Sequence, residues 1–459
     1  MTSDTVVVVV PFVAQGHLNA FLHLSHRLSS HGLPVHYVSS TSHVHQVISR
    51  STSTTFLSHT GHIHFHHFPL PPYPSPPPTP TSPSTSTHFP SHLQPSFNAS
   101  LHLKLPLTSL LHSLSSSSRR LILIHDSAMS FAATAAISIP NVETYVFHTV
   151  AAISLSFLQW EARGKPPEPW VQSLNLPDLS FDSCFTDEFF NFFKFQHSLT
   201  STASGRLINS SVSIEDIFLQ HLRQEPNWQG QKVFAIGPLN PVINIKPRMT
   251  TSRCLQWLDE QPLASVVYVA FGTTTSFSQE QVGEIKNGLV SSGQRFILMC
   301  RDADLGDIFA GGNSVEKCDE IEEVGGGVVV RGWAPQLEIL SHSSMAAFMS
   351  HCGWNSCMES LSLGVPVLAW PMHSDQPWNA VLLTEILKVG ILVREWKKRN
   401  ELVTKETVKD LVLKIVVGDE GKKMRERAVE IKDSLREAMS EAGASKIEFD
   451  SFIAHITRS

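Results

Sequence analysis

Two short stretches of this 459-residue chain put reactive side chains at places where folded chains do chemistry. In "PFVAQGHLNAFLHLSHRL" an apolar run ends, Gly16 turns the chain, and His17 follows at once. Leu18, Phe21, Leu22, Ser25 and Leu28 then recur at helical spacing, so His17 lies in the first turn of a helix with one buried face. The positive end of the helix dipole disfavours an imidazolium there, which predicts a neutral ring able to act as a base near pH 7. The plainer alternative is an ordinary polar residue in a first turn, one structural histidine among 24. "LILIHDSAMS" ends a second apolar run at Asp126, on the sheet edge where His17 should emerge. A carboxylate there can fix the ring's tautomer and stabilise its protonated form, or cap the helix that follows, or both.

The second stretch runs from Trp333 to Gln376. The strand-like "AAFMS" delivers His351, Gly353 permits close backbone approach, and Asn355 and Ser356 open the next helix. Free N–H groups with short polar side chains at a helix start suit an anion such as a diphosphate. Ser356 to Glu359 also reads as S-x-x-E, a capping box, and the two readings stay open on spacing alone. Asp375 and Gln376 stand at another helix start, where they can hold sugar hydroxyls or simply cap. Trp333 can stack a planar base or fill core. Cys352 and Cys357, five apart with no second pair nearby, have neither metal nor redox spacing. In "HTGHIHFHH", His59 to His67, alternation puts His62, His64 and His66 on one strand face with no carboxylate or cysteine to complete a zinc site, and no functional metal is expected.

The elements that must position these groups are legible as short apolar strands alternating with helical runs. Strands are predicted near "VVVVVPF", "PVHYVSS", "IHFHHF", "LILIHD" and "TYVFH", then near "VVYVAFG", "RFILMC", "VVVRGW", "AAFMSH", "PVLAW" and "GILVR". That alternation indicates an α/β chain of two doubly wound, Rossmann-like domains with parallel sheets, facing a central cleft. The expected division is 1–240, a linker at 241–252 that overlaps the proline-containing stretch 236–250, 253–440, and a C-terminal helix at 441–459 that packs back on the first domain. Residues 69–96, rich in Pro, Ser and Thr, are expected as a long surface loop, and 404–459 as two or three closing helices.

Composition narrows the partners. A net charge of -6 without a basic block argues against nucleic acid and anionic membranes. No stretch approaches the roughly 20 apolar residues of a membrane span. Val6–Val10 lacks the basic flank of a signal peptide, and six scattered cysteines without C-x-x-C fit a reducing cytosol. A cytoplasmic monomer is the expectation.

The block "WAPQ", "HCGWNS", Glu359, "GVP" and "DQ" resembles the signature of plant secondary-product glycosyltransferases that use uridine-diphosphate sugars. "PFVAQGHLNAFLHL", "IGPL" and "VVYVAFGT" match the same family, and "FPSHLQPSFNASLHL" with "LAWPMHSDQP" looks most like its zeatin O-glycosyltransferases. The resemblance implies a GT-B fold and an inverting transfer of glucose or xylose to a hydroxyl, with the UDP-sugar as co-substrate and no metal or other cofactor. It implies uracil at Trp333, Ala334 and Gln336, ribose at Glu359, and diphosphate at His351, Gly353, Asn355, Ser356 and Thr273. The sugar would meet Trp354, Asp375, Gln376 and Thr149, with His17 as base and Asp126 as its orienting acid. The acceptor, a cytokinin by the subgroup or else a flavonoid, phenolic or terpenoid, would meet His17, Phe89, His148, Phe189 and Ser374. Ser343 and Ala346–Ala347 depart from the family's usual residues, in a strand lead-in. A UDP-sugar binder without catalysis is the rival of another class; it would need neither His17 nor Asp126.

Overall fold

The computed structural model describes residues 4–50, 62–76, 89–199, 203–240, 252–275, 277–300, 320–331 and 334–458. The first sheet holds β1 (Thr5–Val10), β2 (Val35–Ser40), β3 (Ile63–Phe68), β4 (Arg120–Asp126), β5 (Val142–His148), β6 (Gly205–Ile208) and β7 (Lys232–Ala235), all parallel in the order β3-β2-β1-β4-β5-β6-β7. The second holds β8 (Val266–Ala270), β9 (Arg295–Met299), β10 (Glu320–Val324), β11 (Gly327–Arg331), β12 (Met345–Ser350), β13 (Val367–Ala369) and β14 (Gly390–Leu392), in the order β10-β11-β9-β8-β12-β13-β14. It too is parallel, apart from the β10–β11 hairpin at one edge. Strands covered on both faces must be apolar throughout, and β1, β8 and β12 are buried at every position.

Each sheet reverses its winding once, between β1 and β4 in the first and between β8 and β12 in the second. A crevice opens beyond the carboxyl ends of the strands at such a switch point. Both chemical stretches fall there: His17 and Asp126 follow β1 and end β4, while Thr273 and His351 follow β8 and β12.

The two halves share a hydrophobic cluster below the crevice. Phe157 stacks on Trp378 at 3.8 Å between ring centroids and 9° between planes, and Cys357, Met358 and Leu361 pack into the same cluster as Ile214 and Phe218. The helix Ala444–Thr457 lays Phe449, Phe452 and Ile456 against Val7, Phe21 and Tyr145 of the first half. Three helices, Lys405–Val416, Asp419–Ala438 and Ala444–Thr457, make up the tail.

Several expectations are corrected. The Pro-rich stretch does not stay on the surface to residue 96: Phe89, His92, Leu93, Gln94 and Ser96 are buried, and a helix begins at Gln94, because Phe89, Leu93 and Phe97 join the core with Val8, Val10, Leu121 and Leu123. Residues 77–88 of it lie outside the described residues. Ile236 and Leu239 belong to the first core rather than to a linker, and 241–251 lie outside the described residues. Strands β6, β7 and β10 were not anticipated; each is short or charged, "GRLI", "KVFA" and "EIEEV". Of the histidine cluster, His59 lies outside the described residues. His66 stacks on His36 of β2 and His64 lies tilted against it, with His36 Nδ1 2.8 Å from His66 Nε2.

Candidate active site

One cavity of about 1060 Å³ runs along the crevice between the two sheets. On its first-domain side, the helix Gln15–Ser30 starts after β1 with Ala14 as N-cap, which places His17 two residues into the helix. Its Leu18, Phe21, Leu22, Ser25 and Leu28 are all buried, so the helix lies fixed against the sheet. His17 Nδ1 lies 2.7 Å from Asp126 Oδ2 and 2.8 Å from Thr149 Oγ1. Asp126 Oδ1 accepts from the Ala128 amide at 2.9 Å, so one carboxylate both caps the turn after β4 and holds the histidine. Because a carboxylate only accepts, the ring proton must sit on Nδ1, which leaves Nε2 for a ligand in the cavity.

The ring is not held neutral by the helix dipole, as the sequence suggested. Burial pulls its pKa down, but the Asp126 charge and hydrogen bond, with Asp375 beyond, more than reverse this and raise it above the ordinary histidine value. The dipole's effect of roughly 0.3–1 kcal/mol is the smaller influence beside a carboxylate in contact.

Across the cavity, the helix Trp354–Leu363 starts with Gly353 as N-cap. Its first turn needs no side-chain cap, so Ser356 is not the cap of a box and Glu359 faces the cavity instead. The capping-box alternative fails. Glu359 Oε2 accepts from Gln336 Nε2 at 2.6 Å, the same amide reaches Ser356 Oγ at 3.1 Å, and Tyr268 approaches Gln336 Oε1 at 3.4 Å, fixing the amide's orientation. Burial pushes the Glu359 carboxyl up to about 7, the Gln336 bond opposing and Glu338 adding.

His351 sits between two glycines. A Cβ at Gly353 would lie 2.5 Å from its Nε2, and one at Gly272, whose φ is +74°, 2.6 Å. Only glycine at both positions leaves room for the ring. Its Nδ1 is buried without a hydrogen-bond partner, and burial alone lowers its pKa to about 4. The ring stays neutral and offers one N–H beside a helix start, a pairing suited to a phosphate oxygen.

Thr273, Ala334, Gln336, Gly353, Trp354, Asn355, Ser356, Glu359, Asp375 and Gln376 line this cavity with Thr149, Phe89, Phe189 and Ser374. Trp333 lies outside the described residues. Two side chains are engaged elsewhere than expected. The Trp354 indole donates to the Asn209 carbonyl at 2.7 Å, and the Asn355 amide donates to the Gly16 carbonyl at 2.7 Å, joining the starts of the two facing helices. Asp375 occupies the N-cap of Gln376–Val381 but makes no cap bond; its Oδ2 accepts from Asn379 at 2.9 Å and burial raises its pKa. His148 is a correction, since it does not reach the cavity. Its ring stacks on Trp228 at 5.4 Å with Nε2 3.1 Å from Arg206 Nη1, and burial and that guanidinium lower its pKa. Sequence reading missed Thr275, which is buried in the cavity wall with its hydroxyl unpartnered, although it lies two residues past Thr273. Phe12 was missed too; the stretches Phe181–Phe195 and 88–97, which the sequence offers as walls of an apolar pocket, supply Phe97, Phe185 and Phe193, and with Phe12, Phe89 and Phe189 these form an aromatic wall beside His17. The helix Asp187–Ser198 thus serves as core and wall at once. Among the described residues no group of His, Cys, Asp or Glu could hold a metal ion.

Two doubly wound domains with a cleft at both switch points, one side built for an anion and the other for proton transfer, define the GT-B architecture of a sugar-nucleotide-dependent transferase. The family described as "Glycosyltransferase, N-terminal domain" matches residues 3–241, and "UDP-glucoronosyl and UDP-glucosyl transferase" matches 244–420. The chain belongs to this family of UDP-dependent glycosyltransferases. It is 46% identical to zeatin O-glucosyltransferase of Phaseolus lunatus, over 99% of this chain and 98% of that one, and 44% identical to zeatin O-xylosyltransferase of Phaseolus vulgaris, over 99% of each. Among solved structures, Phytolacca americana UGT2 complexed with UDP-2fluoro-glucose and pterostilbene matches with a TM-score of 0.75 at 25% identity, covering 99% of this chain and 100% of that one. A Polygonum tinctorium UDP-glucosyltransferase capable of glucosylating indoxyl matches at 0.76 and 26%, covering 100% of both.

Proposed function

We propose that this chain transfers glucose or xylose from a UDP-sugar to a hydroxyl of a small planar metabolite, a cytokinin such as zeatin. The observation that carries the reading is the His17–Asp126 contact of 2.7 Å opening on the same cavity as the Gly353-capped helix start. In this reading residues 1–240 hold the acceptor, 253–440 hold the sugar nucleotide, and 441–459 return to the first domain. The acceptor hydroxyl gives its proton to His17 Nε2 as its oxygen attacks the anomeric carbon. The C–O bond to the diphosphate breaks on the opposite face, so configuration inverts. Asp126 stabilises the imidazolium, and the departing charge is taken up by the helix N-terminus with His351, Ser356 and Thr273. Glu359 accepts from the ribose, while Asp375 and Gln376 read the sugar.

The aromatic wall, and the zeatin for which both relatives are named, support a flat acceptor carrying a hydroxyl. One chain supplies both sides of the cleft, which supports action as a monomer. No described helix is long and apolar enough to cross a membrane, and the five described cysteines form no disulfide, which supports a cytosolic site of action. The test is incubation with UDP-glucose or UDP-xylose against zeatin isomers, a flavonol and a stilbene, read by mass spectrometry. A glycosylated zeatin is the expected product. Transfer only to the phenolics would replace the acceptor, and UDP-sugar binding without any transfer would favour a non-catalytic binder.

A further inference from the structure

His373 belongs to neither the base nor the diphosphate cradle, yet it is buried where three parts of the cavity meet. Its backbone amide and that of Met372 both donate to Gln376 Oε1, at 3.0 and 2.9 Å. Those two bonds settle which end of the Gln376 amide is oxygen, so its nitrogen, a donor only, faces His373 Nδ1 at 3.5 Å. The Ser374 hydroxyl lies 2.7 Å from the same nitrogen. With donors directed at Nδ1, the ring proton sits on Nε2, which is 3.2 Å from Thr274 Oγ1. Thr274 then accepts from the ring, and its own hydrogen is free to point into the cavity it lines. On the other side, the His373 ring meets the edge of Phe89 at 5.8 Å in the aromatic wall, and the next amide, Ser374, donates to the Cys184 carbonyl of the first domain at 2.9 Å.

We propose that His373 is a positioning residue that links Gln376 to Thr274 and sets the bound sugar in register with the aromatic acceptor wall. The proposal rests on the UDP-sugar reading of the cavity. His373→Phe keeps an aromatic ring against Phe89 while removing the polar contacts to Gln376, Ser374 and Thr274, so it separates packing from positioning.

The experiment measures kcat and KM for UDP-glucose, together with the Kd of UDP alone, in the wild type, His373→Phe, His373→Gln, Thr274→Val and the double variant His373→Phe/Thr274→Val. Loss of the ring's hydrogen bonds predicts a fall of about tenfold in kcat/KM for His373→Phe, with the Kd of UDP unchanged within about twofold. His373→Gln, whose amide nitrogen can reach Thr274, should recover part of the loss. The double variant should be no worse than His373→Phe by more than about twofold, because both break one link. Wild-type kinetics in His373→Phe, additive losses in the double variant, or an equal loss of UDP affinity would overturn the proposal. A wild type that binds UDP-glucose poorly or transfers nothing would instead overturn the reading of the cavity itself.

Discussion

The two halves of the cleft each present a histidine just past a switch-point strand, and the two rings are prepared for opposite tasks. His17 has a carboxylate at 2.7 Å, a second beyond it, and a pKa raised above the ordinary value. His351 is enclosed by two glycines, has no partner at Nδ1, and is lowered to about 4. Each ring follows one of the two strands that flank a switch point, and the difference comes from the facing strand: β4 ends in aspartate beside one ring, whereas β8 leads into Gly272 beside the other. A ring that can take and keep a proton suits the acceptor side. A ring that stays neutral and donates suits the leaving diphosphate.

The largest expected effect comes from removing the first ring. His17→Ala should lower kcat by about a thousandfold or more while UDP affinity stays within about twofold, as measured by initial rates and calorimetry. Asp126→Asn keeps an oxygen for the Ala128 amide but removes the charge beside His17. It should cost about a hundredfold in kcat, and the acid limb of the pH profile should move to lower pH, since a group that raised the ring's pKa is gone. On the other side, His351→Ala should weaken UDP and UDP-sugar alike by about tenfold and leave the acid limb where it was. A displaced limb in His351→Ala would erase the contrast between the rings.

The smallest effect sharpens the donor side. Glu359 is held near 7, and in the proposed reading ribose hydroxyls donate to its ionised form, so UDP affinity should rise as pH increases through about 7. Glu359→Gln should bind UDP a few-fold more weakly and lose that rise between pH 6 and 8. An unchanged slope would assign the pH dependence to another group.

The layout of the cleft was legible because strand ends and helix starts carry strong local signals. The apolar runs before His17, Asp126 and His351 are unbroken, and the glycines mark where backbone must come close. Strands β6 and β7 are four residues each, and β6 buries Arg206, so neither makes an apolar run. The β10 strand "EIEEV" is an acidic sheet edge, which blunts pairing with other chains and looks like a loop in one dimension. His148 shows a different limit: a strand end names the residue, but its contact with Trp228 and Arg206 comes from elements 58 and more residues away. The protonation of His17 was misjudged for the same reason, since the dipole is local and Asp126, 109 residues along, is not.

The pH dependence of kcat/KM for transfer to zeatin, in the wild type and in Asp126→Asn, tests the central claim most directly. An acid limb above pH 6.5 that moves down when Asp126 loses its charge is the result expected of a base whose ring is raised by that carboxylate. A limb at or below 6.5 that stays in place in Asp126→Asn would contradict it.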